Sequence, residues 1–226
     1  MDNDQIILTY KCCSLKKTDI DTLSDYQYLN DIIISFYYEI LNEKYKSDDF
    51  VLLDPAVSMS IIVEENLDDI NQCIFIPLQM DKKKFIFAPV NDNTKIAYQT
   101  GGSHWALNVI DVTNNKILYF DSMLSNINNA RRFQKKLEKL FNKKFSFECP
   151  IEEHYQGNSY DCGMFVLGFT QVILEYLSSK KFDINSLPDV NFDELFNNSE
   201  RTKQENMSKF RKEIKEIINN LIQKKK

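Results

Sequence analysis

The fold of this chain is organised around the stretch Gln156-Gly157-Asn158-Ser159-Tyr160-Asp161-Cys162-Gly163-Met164-Phe165. Its first half carries residue types that favour turns and helix N-caps, among them Asn158 and Asp161. From Cys162 as far as Leu177 the residues are apolar on nearly every side of a helix. This pattern is typical of a helix buried in the middle of a domain.

Cys162 lies in the first turn of this predicted helix. Unpaired backbone N–H groups and the positive end of the helix dipole are found there. Such a setting favours thiolate over thiol and makes the sulfur a usable nucleophile. An inert core cysteine is the commoner alternative. A catalytic interpretation therefore requires a histidine, an acid and an oxyanion donor elsewhere in the chain.

Length and composition favour one soluble domain spanning residues 1–226. A hydrophobic content of 43% and a charged content of 27% are ordinary for a globular protein. The net charge of −5 gives no basic field for nucleic acid or an anionic membrane surface. No run approaches the ~20 apolar residues of a membrane span, and residues 1–5 do not resemble a signal peptide. We expect a monomer, cytoplasmic and/or nuclear, without nucleic-acid or membrane partners.

The cysteines and histidines narrow the chemistry further. The five cysteines follow no C-x-x-C spacing and the two histidines are not paired on a helix, so we predict no metal ligands and no cofactor. In a reducing compartment the cysteines are expected to be free thiols. Only His104 and His154 can serve as the base in Cys–His chemistry.

Periodicity predicts helices towards both ends of the chain and strands in the middle, which is an α+β fold. Helices are predicted at 29–41, from 54–55 onward, at 66–74 as a short helix or turn, at 127–141, from 162, at 187–196 and at 210–222. Strands are predicted at 6–10, 73–78, 85–90, 105–112, 116–120 and 145–149. Pro77 and Pro89 indicate strand ends or edge positions.

A predicted hairpin brings a base and an acid together. His104 precedes the strand 105–112, and Asp121 ends the strand that follows it. Asn114-Asn115 between these strands suits the positive φ of a hairpin turn. His104 and Asp121 should therefore lie at the same end of the sheet. Asp121 would orient the imidazole and stabilise its charged form, and the other ring nitrogen would face a thiol.

Gln156 is the candidate for the oxyanion donor, six residues before the cysteine. Its amide could donate together with backbone N–H groups at the helix start, although the residues alone favour a glutamine in a surface loop. His154 is the rival of His104. It lies in an acidic loop without an acid at the end of a strand, so we interpret it as a solvated surface histidine.

Several motifs occur in one order along the chain, without large insertions. They are Tyr28-Leu29-Asn30-Asp31-Ile32-Ile33, Val90-Asn91-Asp92-Asn93, Gly102-Ser103-His104-Trp105-Ala106-Leu107, Tyr119-Phe120-Asp121-Ser122, Asn158-Ser159-Tyr160-Asp161, and Gln156 followed after five residues by Cys162-Gly163-Met164. Together they resemble the Ulp/SENP cysteine proteases of ubiquitin-like modifiers, and within that family the Nedd8-specific branch, the deneddylases. The resemblance implies a papain-like fold of the Ulp1 type, with a central mixed sheet flanked by helices.

The same resemblance implies a catalytic role for four residues. Cys162 would be the nucleophile, and His104 would act first as general base and later as general acid. Asp121 would orient the histidine. Gln156 would donate to the oxyanion.

The resemblance also implies contacts with the substrate. Trp105 would cover a narrow tunnel that holds the C-terminal Gly-Gly of the modifier. Asp31 and the loop over residues 91–102, including Asn91 and Asn93, would meet the modifier and its tail. Tyr28 stands where the family usually has tryptophan, and its large ring can still pack against the tail. The implied partners are Nedd8 and its conjugates, such as neddylated cullins.

Four functions are open at this point. The first is cleavage of the peptide or isopeptide bond after the Gly-Gly of Nedd8. The second is the same chemistry on SUMO, which the long 91–102 loop and its Asn-Asp-Asn segment disfavour. The third is a non-catalytic binding module, which the intact catalytic set disfavours. The fourth is an acetyltransferase with a related Cys–His fold, for which the sequence shows no coenzyme A site.

Overall fold

The computed structural model describes residues 5–93, 102–125, 127–179, 187 and 190–224. The helices are α1 (Lys17–Asp21), α2 (Asp31–Tyr45), α3 (Pro55–Val63), α4 (Leu67–Ile70), α5 (Asn128–Leu140), α6 (Cys162–Ser179), α7 (Phe192–Asn197) and α8 (Met207–Lys224). The strands are β1 (Ile6–Tyr10), β2 (Cys13–Lys16), β3 (Phe50–Leu52), β4 (Phe85–Asn91), β5 (Trp105–Asp111), β6 (Lys116–Phe120) and β7 (Ser146–Glu148). Short helical turns span Asn71–Phe75, Met80–Lys82, Glu200–Thr202 and Gln204–Asn206.

A mixed sheet of five strands forms the centre of the fold. Its order is β3-β4-β5-β6-β7, and β1 and β2 form a separate two-stranded sheet. The outer pairs β3–β4 and β6–β7 are parallel, whereas β4, β5 and β6 run antiparallel to one another. The predicted α+β class and the mixed sheet flanked by helices are confirmed.

Both faces of the sheet are buried under helices. Side chains alternate between the two faces along a strand. Phe85 and Phe87 therefore join the apolar cluster beneath α2, α6, α7 and α8, while Ile86 and Ala88 join the cluster beneath α3 and α5. This burial fixes the register of the β5–β6 hairpin, because a one-residue slip would turn its apolar side chains to the wrong face.

Helix α6 is the buried helix that the sequence predicts from Cys162 onward. Its length and apolar composition would suffice to cross a membrane, yet most of its surface is buried inside the protein. It packs against α2 and β5. The first turn of α6 is thereby held beside the end of the sheet where β5 begins.

The strand predicted at 73–78 is wrong. Asn71–Phe75 forms a π-helical turn that continues directly from α4. Phe75 is buried with its ring centroid 4.8 Å from that of Phe141, whereas Ile76 is 53% exposed. A short apolar run fits a strand and a buried helical turn equally well. In this chain α4 continues directly into the run, so the run is helical.

The structure refines two further predictions, the start of the helix near residue 192 and the position of Pro89 in its strand. The helix predicted at 187–196 begins only at Phe192, where Asn191 caps it by accepting a hydrogen bond from the Glu194 N–H at 3.1 Å. Strand β4 is internal, but its pairing with β3 reaches only to Phe87 among the described residues. Pro89 lies beyond that point, so its missing N–H costs no bond with β3.

We predict that Gly168→Ala lowers the free energy of unfolding by on the order of 1–3 kcal/mol, as is usual for overpacking. Gly168 lies in α6, and a Cβ there would be only 2.3 Å from the Arg201 carbonyl oxygen. Urea denaturation of both proteins measures the difference. Gly157→Ala is the matched control, because its Cβ would meet only the Gln204 Cγ, at 3.9 Å. Equal losses in the two variants would contradict the close approach.

Candidate active site

The β5–β6 hairpin brings His104 and Asp121 together. His104 immediately precedes β5 and Asp121 immediately follows β6. The antiparallel register pairs Leu107 with Phe120, so the two residues meet at one end of the sheet. His104 Nε2 lies 2.7 Å from Asp121 Oδ1. The predicted proximity of the two residues is confirmed.

Asp121 is fully buried and accepts several hydrogen bonds. The donors are the Tyr119 hydroxyl at 3.0 Å and the backbone N–H groups of Met123 at 2.9 Å and Ser125 at 3.0 Å. Burial alone would raise the pKa of Asp121, but His104 and these N–H groups hold that pKa at about 2. The residue is therefore a carboxylate at neutral pH, and its orientation is fixed by its neighbours.

His104 is hydrogen-bonded to both Asp121 and Cys162. Burial acts to lower the pKa of His104, but the hydrogen bonds and charges of Asp121 and Cys162 raise it to about 10. Since Nε2 faces Asp121, the other ring nitrogen serves the sulfur. Cys162 is buried and begins α6, as the sequence predicts. An imidazole hydrogen-bonded to a carboxylate on one side and to a cysteine sulfur on the other is the arrangement needed for covalent catalysis by sulfur.

Asp92 holds the backbone of His104. Its Oδ1 accepts hydrogen bonds from the N–H groups of Ser103 at 2.7 Å and His104 at 3.1 Å. Its own N–H donates to the His104 carbonyl at 3.1 Å. The sequence predicts a modifier contact for the loop that includes Asp92, but not this support of the histidine backbone, because the partners of Asp92 are more than ten residues away in the chain.

Asn91 and Asn93 lie beside this histidine and are held by α5. The side-chain amide of Asn129 donates to the carbonyls of both, at 2.7 Å each. A Cβ at Gly102 would lie 1.8 Å from Asn91 Oδ1, and the φ of Gly102 is +89°, so this position requires glycine. The remainder of the predicted substrate loop, residues 94–101, lies outside the described residues.

Trp105 lies against the segment before α2 and the first turn of α6. Its indole N–H donates to the Leu29 carbonyl at 3.0 Å. A Cβ at Gly163 would lie 2.7 Å from the Leu29 Cβ and 3.5 Å from the Trp105 Cδ1. The ring, the segment before α2 and the first turn of α6 thus converge. Tyr28, which precedes Leu29, is 48% exposed, and Asp31, the first residue of α2, is also exposed.

Gln156 is buried at 7% exposure, so the surface-loop glutamine favoured by the residues alone is wrong. Its Oε1 accepts from the Ser122 hydroxyl and its Nε2 donates to the Asn158 carbonyl, each at 2.7 Å. Its backbone N–H donates to the Ser122 carbonyl at 3.0 Å. The predicted oxyanion donor is thereby hydrogen-bonded to the turn that begins with Asp121. His154 is exposed, as predicted.

A buried ion pair below the cysteine loop is not predicted from the sequence. Arg211 of α8 is 1% exposed, and its Nη2 lies 2.7 Å from Asp161 Oδ1. The other oxygen of Asp161 accepts from Asn158 at 2.7 Å and from Gln204 at 2.8 Å. Further hydrogen bonds from the Arg211 guanidinium go to the backbone carbonyls of Thr22, Ser24, Gln27 and Tyr160.

A signal for this pair was present in α8. Arg211 shares the apolar face of the helix with Met207, Phe210 and Ile214. A charged residue at such a core position needs a buried partner, because an unpaired charge there is too costly. Spacing alone does not identify the partner, since Asp161 is 50 residues away.

Within the described ranges, no group of three or more His, Cys, Asp and Glu side chains is arranged to hold a metal ion. The five cysteines are free thiols. Cys162 is hydrogen-bonded to His104, whereas the Cys12 thiol donates a hydrogen bond to Glu39 at 3.0 Å.

Comparison with known proteins gives relatives over most of the chain. Residues 27–225 match the Ulp1 protease family, C-terminal catalytic domain. NEDD8-specific protease 1 of Arabidopsis thaliana is 30% identical over 225 residues, which cover 97% of this chain and 95% of that protein. Sentrin-specific protease 8 of Homo sapiens is 32% identical over 179 residues, which cover 76% of this chain and 82% of that protein.

The fold also matches a solved structure, that of the C-terminal Ulp1 protease domain in complex with Smt3, the yeast orthologue of SUMO. The TM-score is 0.57 at 22% identity, and the match covers 84% of this chain and 81% of that one. At this identity the likeness establishes the fold alone.

We predict that Arg211→Met lowers the free energy of unfolding by about 3–5 kcal/mol, because it leaves the carboxylate of Asp161 buried and unpaired. Guanidinium denaturation measures the loss. Lys203→Met removes the exposed pair with Glu200 and should change stability by less than about 1 kcal/mol. A loss as small for Arg211 as for Lys203 would show that the buried pair is not needed.

We predict that Asp121→Asn lowers the pKa of His104. The charge and hydrogen bond of Asp121 raise that pKa, so without them the imidazole loses its proton at a lower pH, while burial still acts in the same downward direction. The chain has only two histidines, so an NMR titration of labelled imidazole carbons resolves both. The exposed His154 is the internal control. An unchanged titration midpoint for His104 would contradict the electrostatic role of Asp121.

Proposed function

The chain belongs to the Ulp1 protease family and is a cysteine protease, and we propose that it cleaves the bond after the C-terminal Gly-Gly of the modifier Nedd8. The hydrogen-bonded series Cys162–His104–Asp121 carries the chemical part of this proposal. The choice of Nedd8 is supported by the similarity to the NEDD8-specific protease of Arabidopsis over 97% of the chain. The substrates would be Nedd8 conjugates and the Nedd8 precursor.

In the first half of the reaction, the proton of the Cys162 thiol passes to His104 and the sulfur attacks the carbonyl carbon of the last glycine. The oxyanion that forms accepts hydrogen bonds from Gln156 Nε2 and from backbone N–H groups at the start of α6. The C–N bond then breaks, and the departing amine takes a proton from His104. A thioester between Cys162 and the modifier remains.

In the second half, His104 removes a proton from water as the water attacks the thioester carbonyl. The same donors hold the second oxyanion. The C–S bond breaks and the modifier leaves with a free carboxylate. Throughout, the buried carboxylate of Asp121 keeps the imidazole oriented and stabilises its charged form.

The family resemblance supports a Gly-Gly tail as the substrate, with Trp105 covering the narrow tunnel that holds it. In the structure Trp105 lies close to the nucleophile's helix, since a Cβ at Gly163 would be 3.5 Å from the Trp105 Cδ1. A diglycine tail brings no side chain into such a passage. The exposed Tyr28 and Asp31 are the proposed contacts for the tail and the body of the modifier.

The wider biological setting extends the proposal. Neddylated cullins are proposed as conjugates on the strength of the resemblance to deneddylases. The free thiols and the net charge of −5 support a monomeric enzyme of the cytoplasm and/or nucleus. SUMO is the alternative modifier, because a similar fold is seen bound to Smt3.

Activity-based probes test the proposed function. Nedd8, SUMO and ubiquitin, each ending in a vinyl-type electrophile after the Gly-Gly, are incubated with the protein and labelling is followed by mass. We predict fastest labelling by the Nedd8 probe and none after Cys162→Ala. Cys73→Ala removes a different, exposed thiol and should leave labelling unchanged.

Three results would contradict parts of the proposal. Absence of reaction with every probe would overturn the protease function. Reaction with the SUMO probe alone would overturn the assignment to Nedd8. Labelling of the Cys162→Ala variant would show that the nucleophile lies elsewhere.

A further inference from the structure

Ser122 directly follows Asp121 in the sequence and is buried, with 1% of its surface exposed. Its hydroxyl donates to Gln156 Oε1 at 2.7 Å. Its carbonyl oxygen accepts from the N–H groups of Tyr155 and Gln156, at 3.0 Å each. One residue thus links the turn after β6 to the loop that precedes the nucleophile.

The contacts of Gln156 determine which way its amide faces. The amide has one oxygen that accepts and one nitrogen that donates two hydrogens. Nε2 faces the Asn158 carbonyl at 2.7 Å, and a carbonyl can only accept. A flipped amide would therefore place two oxygens against each other. With Nε2 in this position, Oε1 faces the Ser122 hydroxyl, which supplies the matching donor.

This orientation matters for catalysis because Nε2 carries two hydrogens. Among the described residues, one of them is given to the Asn158 carbonyl. No acceptor among these residues takes the second, which is the hydrogen that the proposed function assigns to a substrate oxygen. An oxyanion donor is effective when it is held in place before charge develops, so whatever immobilises this amide contributes to the rate.

We propose that Ser122 is the positioning residue of the oxyanion donor. Through the hydrogen bond from its hydroxyl to Oε1, it holds the Gln156 amide in the orientation in which Nε2 can donate to the oxyanion. The inference rests on the proposed function of Gln156. Ser122 is covalently next to Asp121. The turn after β6 then positions both Asp121, which orients His104, and the Gln156 amide, which donates to the oxyanion. The two halves of the site keep a constant relative position.

The hydroxyl can be tested separately from the turn. The contacts of Ser122 with the Tyr155 and Gln156 backbones use its carbonyl oxygen, which any residue at this position supplies. Ser122→Ala keeps those contacts and removes only the donor to Oε1. Ser58→Ala is the matched control, because Ser58 is also a buried serine and its hydroxyl has no partner among the described residues.

The experiment is a double-mutant cycle with Ser122→Ala, Gln156→Ala and the double variant. The substrate is Nedd8 with a C-terminal aminocoumarin amide, or the SUMO or ubiquitin equivalent if the unaltered protein cleaves that one instead. We expect kcat to fall about tenfold for Ser122→Ala, equivalent to the net worth of about one hydrogen bond. For Gln156→Ala we expect a fall on the order of 10²–10³. The double variant should match Gln156→Ala, because Ser122 acts only through that amide.

A second readout separates this role from a structural one. Alkylation of Cys162 by iodoacetamide needs the sulfur and its histidine but no oxyanion donor. Its rate should be equal in the unaltered protein and in all three variants of the cycle, and KM should change little. Ser58→Ala should retain both kcat and the alkylation rate.

Several outcomes would overturn the inference. They are an unchanged kcat for Ser122→Ala, losses that multiply in the double variant, or slower alkylation after Ser122→Ala. If Gln156→Ala retains full kcat, the oxyanion assignment fails and takes the role of Ser122 with it. Absence of cleavage of all three substrates by the unaltered protein is a separate failure, that of the proposed function itself.

Discussion

The ion pair between Arg211 and Asp161 is the interaction on which the arrangement of the site depends. It joins the segment before α2, the loop before the nucleophile and the last described helix, which are far apart in sequence. A buried ion pair adds little net stability compared with apolar packing. Its value here is geometric. A guanidinium with five donors must find acceptors in fixed directions, so these contacts fix the orientation of α8 against the loop that precedes Cys162.

Local sequence features account for the parts of the fold and of the site that could be predicted. The β5–β6 hairpin forms between neighbouring segments, so the meeting of His104 and Asp121 follows from alternation and turn chemistry alone. Helix α6 is recognisable because its apolar run is long and begins after strong turn residues. The five-residue turn at Asn71–Phe75 was not, since a short apolar run has no period of its own.

Long-range hydrogen bonds account for most of what could not be predicted in the site. The burial of Gln156 depends on Ser122, 34 residues earlier, and the cysteine loop depends on Arg211, 50 residues after Asp161. No pattern within one segment contains such pairings. The role of Gln156 follows from the family resemblance, whereas its neighbours in the sequence favour a glutamine in a surface loop. The structure explains the difference, because a polar side chain can be buried wherever its donors and acceptors are matched.

The position of Arg211 also has a consequence for biosynthesis. A chain emerging from the ribosome exposes its N-terminal parts first. His104, Asp121 and Cys162 are therefore all made before the arginine that anchors the loop beside the cysteine. Until α8 is synthesised, Asp161 lacks the guanidinium that pairs with it in the folded chain. The loop before the nucleophile thus obtains its buried partner only when a late segment of the translation product docks.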